Sequence, residues 1–216
     1  MEQLKFLLDL FLHLDEYLAN IINQYGTWTY AMLFFVIFME TGFVVTPFLP
    51  GDSLLFAAGT FAAIGSMNLY VLLGLLMLAA ILGDTVNYSI GYYLGDRAYN
   101  IKWLKKEYFE KTHAFFEKHG GKTIFLARFV PIVRTFAPFV AGIGKMSYSY
   151  FITYNFVGGI VWVLLFTFAG YFFGNIPFIK NNFEFVIIGI ILVSIVPMII
   201  EWWKARRESK AAAVKA

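Results

Sequence analysis

Four ionisable side chains lie in strongly apolar parts of the sequence, close to prolines. They are two acids, Glu40 and Asp52, and two arginines, Arg128 and Arg134. A charge inside a bilayer costs roughly 2.5–3.5 kcal/mol on insertion scales, so it normally faces a partner or a cavity. An arginine donates two parallel hydrogen bonds to phosphate and keeps its charge when buried. The pattern therefore predicts that the arginines bind a phosphate and that the acids exchange a proton.

Two other roles fit the same residues. Glu40 or Asp52 can pair with Arg128 or Arg134 in a buried ion pair that only fixes two segments together. Asp52 follows Pro50 and is also a candidate N-cap for a helix that begins there. The sequence leaves these alternatives open.

A weaker candidate set lies in one of the long apolar segments. Asp84, Asn87 and Tyr88 are spaced i, i+3 and i+4, so they share one face of a helix. They either line a cavity or bond to neighbouring helices. Asn155 and Trp162, in another apolar segment, are interpreted as packing and interface residues rather than ligands.

The composition excludes a soluble globular protein. Of the 216 residues, 60% are apolar, 20% are aromatic and only 14% are charged, and the mean hydropathy is +0.69. Soluble domains are about 45–50% apolar and about 25% charged. Much of the apolar surface must therefore face lipid.

Sequence signatures of enzymes are missing. No P-loop, dinucleotide-binding or zinc-protease motif occurs, and there is no cysteine. The histidines His13, His113 and His119 lie outside the proline-broken segments. The net charge of +3 is too small to indicate nucleic acid. We therefore expect no enzyme activity, no cofactor, no metal site and no nucleic-acid partner.

Three segments are long and apolar enough to cross a membrane, namely 69–94, 148–174 and 185–203. Two more apolar segments are broken by residues that disfavour a continuous helix. The breaks contain Pro47, Pro50 and Gly51 in the first segment, and Pro131 and Pro138 in the second. The limbs beside these breaks are too short to cross, since 53–65 spans only about 20 Å as a helix. Each segment is therefore predicted to form a re-entrant hairpin, with a water-filled cavity at the breaks.

Basic residues predict the orientation. Lysine and arginine are concentrated in 96–122 and in the tail 204–216, and the positive-inside rule places both in the cytoplasm. The segments 1–26 and 175–180 contain few basic residues and are placed outside. Three crossings satisfy these assignments only if each hairpin returns to its own side, which leaves the C-terminus cytoplasmic.

The two halves of the chain share a pattern. The matches are Phe56-Ala57-Ala58-Gly59 with Phe139-Val140-Ala141-Gly142, Met67 with Met146, and Gly91-Tyr92-Tyr93-Leu94-Gly95 with Gly170-Tyr171-Phe172-Phe173-Gly174. Because one crossing separates the halves, the second is predicted to be inverted relative to the first. Inverted repeats with broken helices are typical of secondary transporters, which bind substrate at the breaks.

The predicted fold is all-α, a single polytopic membrane domain with two proline-broken re-entrant hairpins in an inverted repeat, three transmembrane helices and amphipathic interfacial helices. Its parts are an interfacial helix (1–26), the first repeat (27–95), a cytoplasmic amphipathic segment (96–120), the second repeat (121–174), the last transmembrane helix (181–203) and a basic cytoplasmic tail (204–216).

Several motifs resemble those of the DedA family of bacterial inner-membrane proteins. They are Glu40 with Pro47-Phe48-Leu49-Pro50-Gly51-Asp52-Ser53-Leu54-Leu55, Gly83-Asp84 with Asn87-Tyr88 and Gly91, and Phe125-Leu126-Ala127-Arg128-Phe129-Val130-Pro131-Ile132-Val133-Arg134 followed by Pro138 and Ala141-Gly142. The resemblance covers most of the chain and implies a multi-pass protein of the bacterial inner membrane.

The resemblance also implies a function. The family is associated with returning undecaprenyl phosphate to the inner leaflet, in some members with the proton motive force. By position, Glu40 and Asp52 match the acids linked to proton coupling, and Arg128 and Arg134 match the essential arginines. We therefore expect a proton-coupled flippase whose partners are protons and a polyprenyl phosphate lipid. The alternative is a proton-coupled exporter of a small cation or drug, in which the arginines are structural.

Overall fold

A computed structural model describes residues 14–43, 51–95 and 120–180, together with 185 and 189. Every regular element in these ranges is a helix, so the predicted all-α class is confirmed. The elements are α1 (Leu14–Tyr25), α2 (Trp28–Gly42), α3 (Gly51–Ala63), α4 (Leu69–Leu94), a 3₁₀ turn (Gly120–Lys122), α5 (Thr123–Ala127), α6 (Pro131–Ile143), α7 (Tyr148–Phe173) and α8 (Pro177–Lys180).

Helices α4 and α7 are long and apolar enough to cross a membrane. Each has 26 residues, which corresponds to about 39 Å. Both expose large apolar side chains, such as Leu78 on α4 and Phe156 on α7, as contact with lipid requires. The third predicted span, 185–203, lies outside the described residues except at 185 and 189.

Short helices flank the two predicted breaks. Helices α3 and α6 have 13 residues each, or about 20 Å. The first break contains Pro47 and Pro50, which lie outside the described residues, and α3 begins directly after it at Gly51. At the second break α5 ends at Ala127 and α6 begins at Pro131. Proline is well suited to a first helical position, where its missing N–H would have no partner.

Pro138 does not interrupt the helix that contains it, so the prediction of a helix break at this residue is wrong. Helix α6 continues through Pro138 to Ile143. An internal proline removes one backbone hydrogen bond, and the rest of the helix retains its own. A buried side chain also supports this turn, since Asn87 Nδ2 donates to the carbonyl oxygen of Thr135 at 2.8 Å.

Each repeat packs its short helix along the long helix of the other repeat. Helix α3 of the first repeat packs mainly along α7 of the second, and α6 of the second packs along α4 of the first. A Cβ on any of four glycines in these contacts would lie 1.9–2.1 Å from a carbonyl oxygen of the opposite helix. The glycines and the residues whose carbonyls they face are Gly59 with Thr167, Gly170 with Phe56, Gly142 with Tyr88, and Gly91 with Phe139. Such reciprocal contacts are typical of units related by a two-fold axis, and the internal repeat stays a prediction.

Helix α1 is the described part of the predicted N-terminal amphipathic helix. It buries Leu18 against the core and exposes Glu16 and Asn20, as an amphipathic helix does. The predicted amphipathic segment at 96–119 and the basic tail at 204–216 lie outside the described residues.

Candidate functional site: a buried ionic network

Arg134 joins two acids of the first repeat. Its Nη2 lies 2.8 Å from Glu40 Oε1, and its Nη1 donates to Asp52 Oδ1 at 3.0 Å. Glu40 lies near the end of α2 and Asp52 in the first turn of α3. Glu40 and Arg134 are buried, whereas the Asp52 side chain is 18% exposed. The structure therefore brings together three of the four predicted charged residues, one from each of three helices.

Helix α7 contributes an aromatic side chain to this group. Arg134 Cζ lies 4.3 Å from the centroid of the Trp162 ring, and Trp162 Nε1 donates to Asp52 Oδ1 at 2.8 Å. The planar guanidinium of arginine is well suited to stacking on an aromatic face. Trp162, interpreted from the sequence as a packing and interface residue, therefore also binds two charged residues of this group.

Arg128 forms a second group with helices α4 and α7. Its Nη2 donates to Asp84 Oδ2 and to Asn155 Oδ1, both at 2.5 Å. A Cβ on Gly158 would lie 3.1 Å from Arg128 Cδ, so the glycines of α7 leave room for this side chain. Asn155, interpreted from sequence as a packing residue, is a direct partner of Arg128. Asp84, a weaker candidate, is its ion-pair partner.

The two groups together have an unbalanced charge. They contain the acids Glu40, Asp52 and Asp84 and the two arginines, which gives −3 + 2 = −1 when all are ionised. Asp84, which belongs to the Arg128 group, also interacts electrostatically with Arg134 of the other group. An uncompensated buried charge is costly, and one bound proton would cancel it.

Some buried polar atoms of the network have no hydrogen-bond partner among the described residues. They include Nε and Nη1 of Arg128, Nε of Arg134 and Oε2 of Glu40. Buried donors without an acceptor are uncommon, and each one costs about 1–3 kcal/mol. Guanidinium donors of this kind suit the oxygens of a phosphate.

Gly51 positions Glu40. The Gly51 backbone N donates to Glu40 Oε1 at 3.3 Å. A Cβ at this position would lie 1.9 Å from Glu40 Oε2, so any larger residue would displace the carboxylate. The glycine between Pro50 and Asp52 therefore has a packing role in addition to its place at the start of α3.

The polar face of α4 bonds to neighbouring parts of the fold. Asp84 pairs with Arg128, and Asn87 Nδ2 donates to the carbonyl oxygen of Thr41 at 3.1 Å, as it does to that of Thr135. The Tyr88 hydroxyl donates to the carbonyl of Met146. Bonding between elements, one of the two alternatives, is thus confirmed for all three residues.

A pattern in the sequence could have identified the α7 contribution. Asn155, Gly158, Gly159 and Trp162 are spaced i, i+3, i+4 and i+7, so they share one helix face. A face that combines an amide, two glycines and an indole is unusual in an apolar span, and it is the face that contacts both arginines.

The chain is similar to known membrane proteins over most of its length. The VTT domain matches residues 49–172. The chain is 54% identical over 218 residues to Protein DedA of Escherichia coli (strain K12), which covers 99% of this chain and 100% of that protein. It is 44% identical over 181 residues to an uncharacterized membrane protein of Mycobacterium leprae (strain TN), with coverage of 82% and 81%. It is 37% identical over 151 residues to the inner membrane protein YqjA of Escherichia coli (strain K12), with coverage of 68% and 69%. No solved structure matches the chain.

Proposed function

Because the chain belongs to the DedA family of membrane proteins, we propose that it is a flippase for the phosphate headgroup of a lipid. Members of this family are generally thought to be membrane transporters or flippases. The substrate in this proposal is undecaprenyl phosphate, which moves between the leaflets of the bacterial inner membrane with proton coupling. The lipid is moved without chemical conversion.

The observation that supports this proposal best is the state of Arg134. Its guanidinium is buried between Glu40 and Asp52, stacks on Trp162, and has an Nε donor without a hydrogen-bond partner among the described residues. A phosphate that reaches Arg134 replaces a carboxylate as the acceptor for the guanidinium fork. The ion pairs of Arg134 with Glu40 and Asp52 therefore compete with phosphate binding.

Charge balance links the substrate to a proton. The network has a net charge of −1 when all its groups are ionised, so a phosphate approaching Arg134 is repelled by the neighbouring acids. Protonation of Glu40 or Asp52 removes one negative charge and frees the arginine from its partner. Phosphate binding and proton binding therefore favour each other, which is the basis of coupled transport.

The fold suits this task if α2–α3 and α5–α6 are re-entrant hairpins that enter from opposite faces. The two-fold relation between the repeats then lies in the membrane plane, and the ionic network lies near the midplane, as in other transporters with inverted repeats. The headgroup passes between the hairpins while the isoprenoid tail stays in lipid. In this arrangement three helices cross the membrane and the C-terminus is cytoplasmic.

The test is the leaflet distribution of undecaprenyl phosphate in bacterial cells with and without this chain. Wild-type protein should lower the amount exposed in the outer leaflet. Arg128→Lys and Arg134→Lys should fail to do so at equal membrane levels, because lysine is a point charge without the planar fork. Lys122→Arg, a cation exchange at an exposed position outside the network, is the matched control. Normal activity of both Arg→Lys variants would contradict the phosphate clamp.

A further inference from the structure

A second site lies at the surface, where α4 ends and α7 begins. A pocket of about 330 Å³ opens there, and none of the network residues lines it. Its lining includes Lys145 and the hydroxyl-bearing residues Tyr92, Ser147 and Tyr148. Lys145 is exposed and makes no ion pair with any residue in the described ranges. The pocket thus combines a lysine that has no ion-pair partner in the described ranges with several hydroxyl-bearing residues.

The backbone of Lys145 is strained. Its φ is +52°, and it is the one residue other than glycine with a positive φ in the described ranges. Lys145 N donates to the carbonyl oxygen of Gly142 and Met146 N to that of Ala141, which forms a Schellman motif at the end of α6. Glycine is the usual residue at this position, because a Cβ is sterically disfavoured there.

The first repeat provides an internal comparison. Helix α3 ends in the same motif, with hydrogen bonds from Gly65 N to Ala62 O and from Ser66 N to Phe61 O. In that motif the position of Lys145 is occupied by Gly65, with a φ of +80°. The first repeat thus uses the residue that the conformation favours, while the second uses a lysine in spite of the strain. Strain kept in only one of two turns with the same hydrogen-bond motif points to a role for the side chain.

Other residues of the pocket also differ from the residues at the matching positions of the other repeat. In the alignment of the repeated motifs, Tyr88, Tyr93 and Tyr148 correspond to Thr167, Phe172 and Leu69. The equivalent surface at the other end of the fold therefore has fewer aromatic hydroxyls and lacks the cation. In the proposed topology, the pocket lies at the cytoplasmic surface of the membrane.

We propose that this pocket binds the phosphate monoester of a lipid headgroup at the membrane surface, before or after it passes the ionic network. Lys145 balances the phosphate charge, and the hydroxyls of Tyr92, Ser147 and Tyr148 donate hydrogen bonds to its oxygens. The tyrosine rings contact the adjoining lipid, as they do at membrane interfaces. The proposal rests on the proposed function, and it makes headgroup binding one-sided because only one repeat has the lysine.

The test uses the full-length protein in phosphatidylcholine nanodiscs that contain phosphatidic acid as the probe, with diacylglycerol as the uncharged control lipid. Bound lipid is counted by native mass spectrometry. Lys145→Gly removes the charge and also relieves the strain, so we expect at least about tenfold weaker phosphatidic acid binding, or about 1.4 kcal/mol. The thermal unfolding temperature should be unchanged or higher. Lys145→Arg should retain binding.

A matched pair of variants separates the pocket from general interface effects. Tyr92→Phe should weaken phosphatidic acid binding, whereas Tyr171→Phe, at the equivalent position of the other repeat, should not. Equal binding by wild type and Lys145→Gly would overturn the site, and the tyrosines would then be interfacial anchors only. Binding of inorganic phosphate that depends on Lys145, without binding of phosphatidic acid, would overturn the assignment to lipid.

Failure of this inference is distinguishable from failure of the proposed function. Arg134→Lys should lose lipid transport and keep phosphatidic acid binding at the pocket. If wild-type protein moves no lipid phosphate, the proposed function fails while pocket binding can still be measured. If Lys145→Gly binds and transports like wild type, only the pocket proposal fails.

Discussion

Single side chains decide the charge balance of the network. Arg134 pairs with two acids at once, since it lies 2.8 Å from Glu40 and 3.0 Å from Asp52. Removal of an arginine and removal of an acid therefore have opposite effects on the balance. The first leaves a buried charge of −2, whereas the second leaves a neutral set.

Arg134→Ala should accordingly destabilise the protein more than Glu40→Gln. We expect a loss of about 3–5 kcal/mol for the arginine variant, as when one partner of a buried pair is removed. Glu40→Gln keeps an oxygen that can accept from Gly51 N, so its loss should be clearly smaller. Thermal unfolding of the detergent-solubilised variants measures the order, and a larger loss for Glu40→Gln would contradict the charge-balance argument.

The sequence predicted the charged residues of the site better than their pairing. Glu40, Asp52, Arg128 and Arg134 were identifiable because a charge in an apolar segment is costly. Their pairing depends on which helices pack together, and this is why Asp84 remained a weaker candidate. The role of Trp162 could not be predicted from an indole in an apolar span, since packing alone also explains such a residue.

At the scale of helices, glycines set how closely the repeats approach. The long helices were predictable from apolar length, and segments 69–94 and 148–174 agree with α4 and α7 to within one residue. Pro138 was misleading because tertiary packing keeps α6 intact in spite of one lost hydrogen bond. The packing of each short helix on the long helix of the other repeat was not predicted, although the repeated glycines form these contacts.

Gly91→Ala and Gly170→Ala should both destabilise the fold. An added Cβ would lie 2.1 Å from the carbonyl oxygen of Phe139 in the first and 1.9 Å from that of Phe56 in the second. Overpacking of this kind costs about 1–3 kcal/mol. Gly74→Ala, on the same long helix as Gly91 but with no atom within 4 Å of the added Cβ, should stay within about 1 kcal/mol of wild type.

Fluorescence-detected gel filtration after heating compares these variants in detergent. Wild-type stability of both Gly91→Ala and Gly170→Ala would contradict the close approach of the helices. A loss at only one of the two positions would contradict the equivalence of the two repeats.

At the scale of the whole molecule, the proposed inverted repeat requires that the ends of the two hairpins face opposite sides of the membrane. The turn after α3 and the turn after α6 have the same hydrogen-bond motif, and both are exposed. An inverted repeat places them on opposite faces. The positive-inside rule assigns the first turn to the outside and the second to the cytoplasm.

Single cysteines test this arrangement directly, because the chain has no native cysteine. Ser66→Cys in intact cells should react with a membrane-impermeant thiol reagent, whereas Ser149→Cys should react only after the membrane is opened. Both positions are exposed in the fold, so a lack of reaction would report the side of the membrane rather than burial. Labelling of both cysteines from the outside would contradict the inverted repeat.

The flippase function is tested most directly by measuring the movement of a polyprenyl phosphate headgroup between the leaflets of sealed liposomes that contain only the purified chain. We expect the headgroup to move faster than in protein-free liposomes. The movement should be stimulated by a proton gradient and lost in Arg134→Lys at equal reconstitution. No movement above protein-free liposomes, or equal movement with wild type and Arg134→Lys, would contradict it.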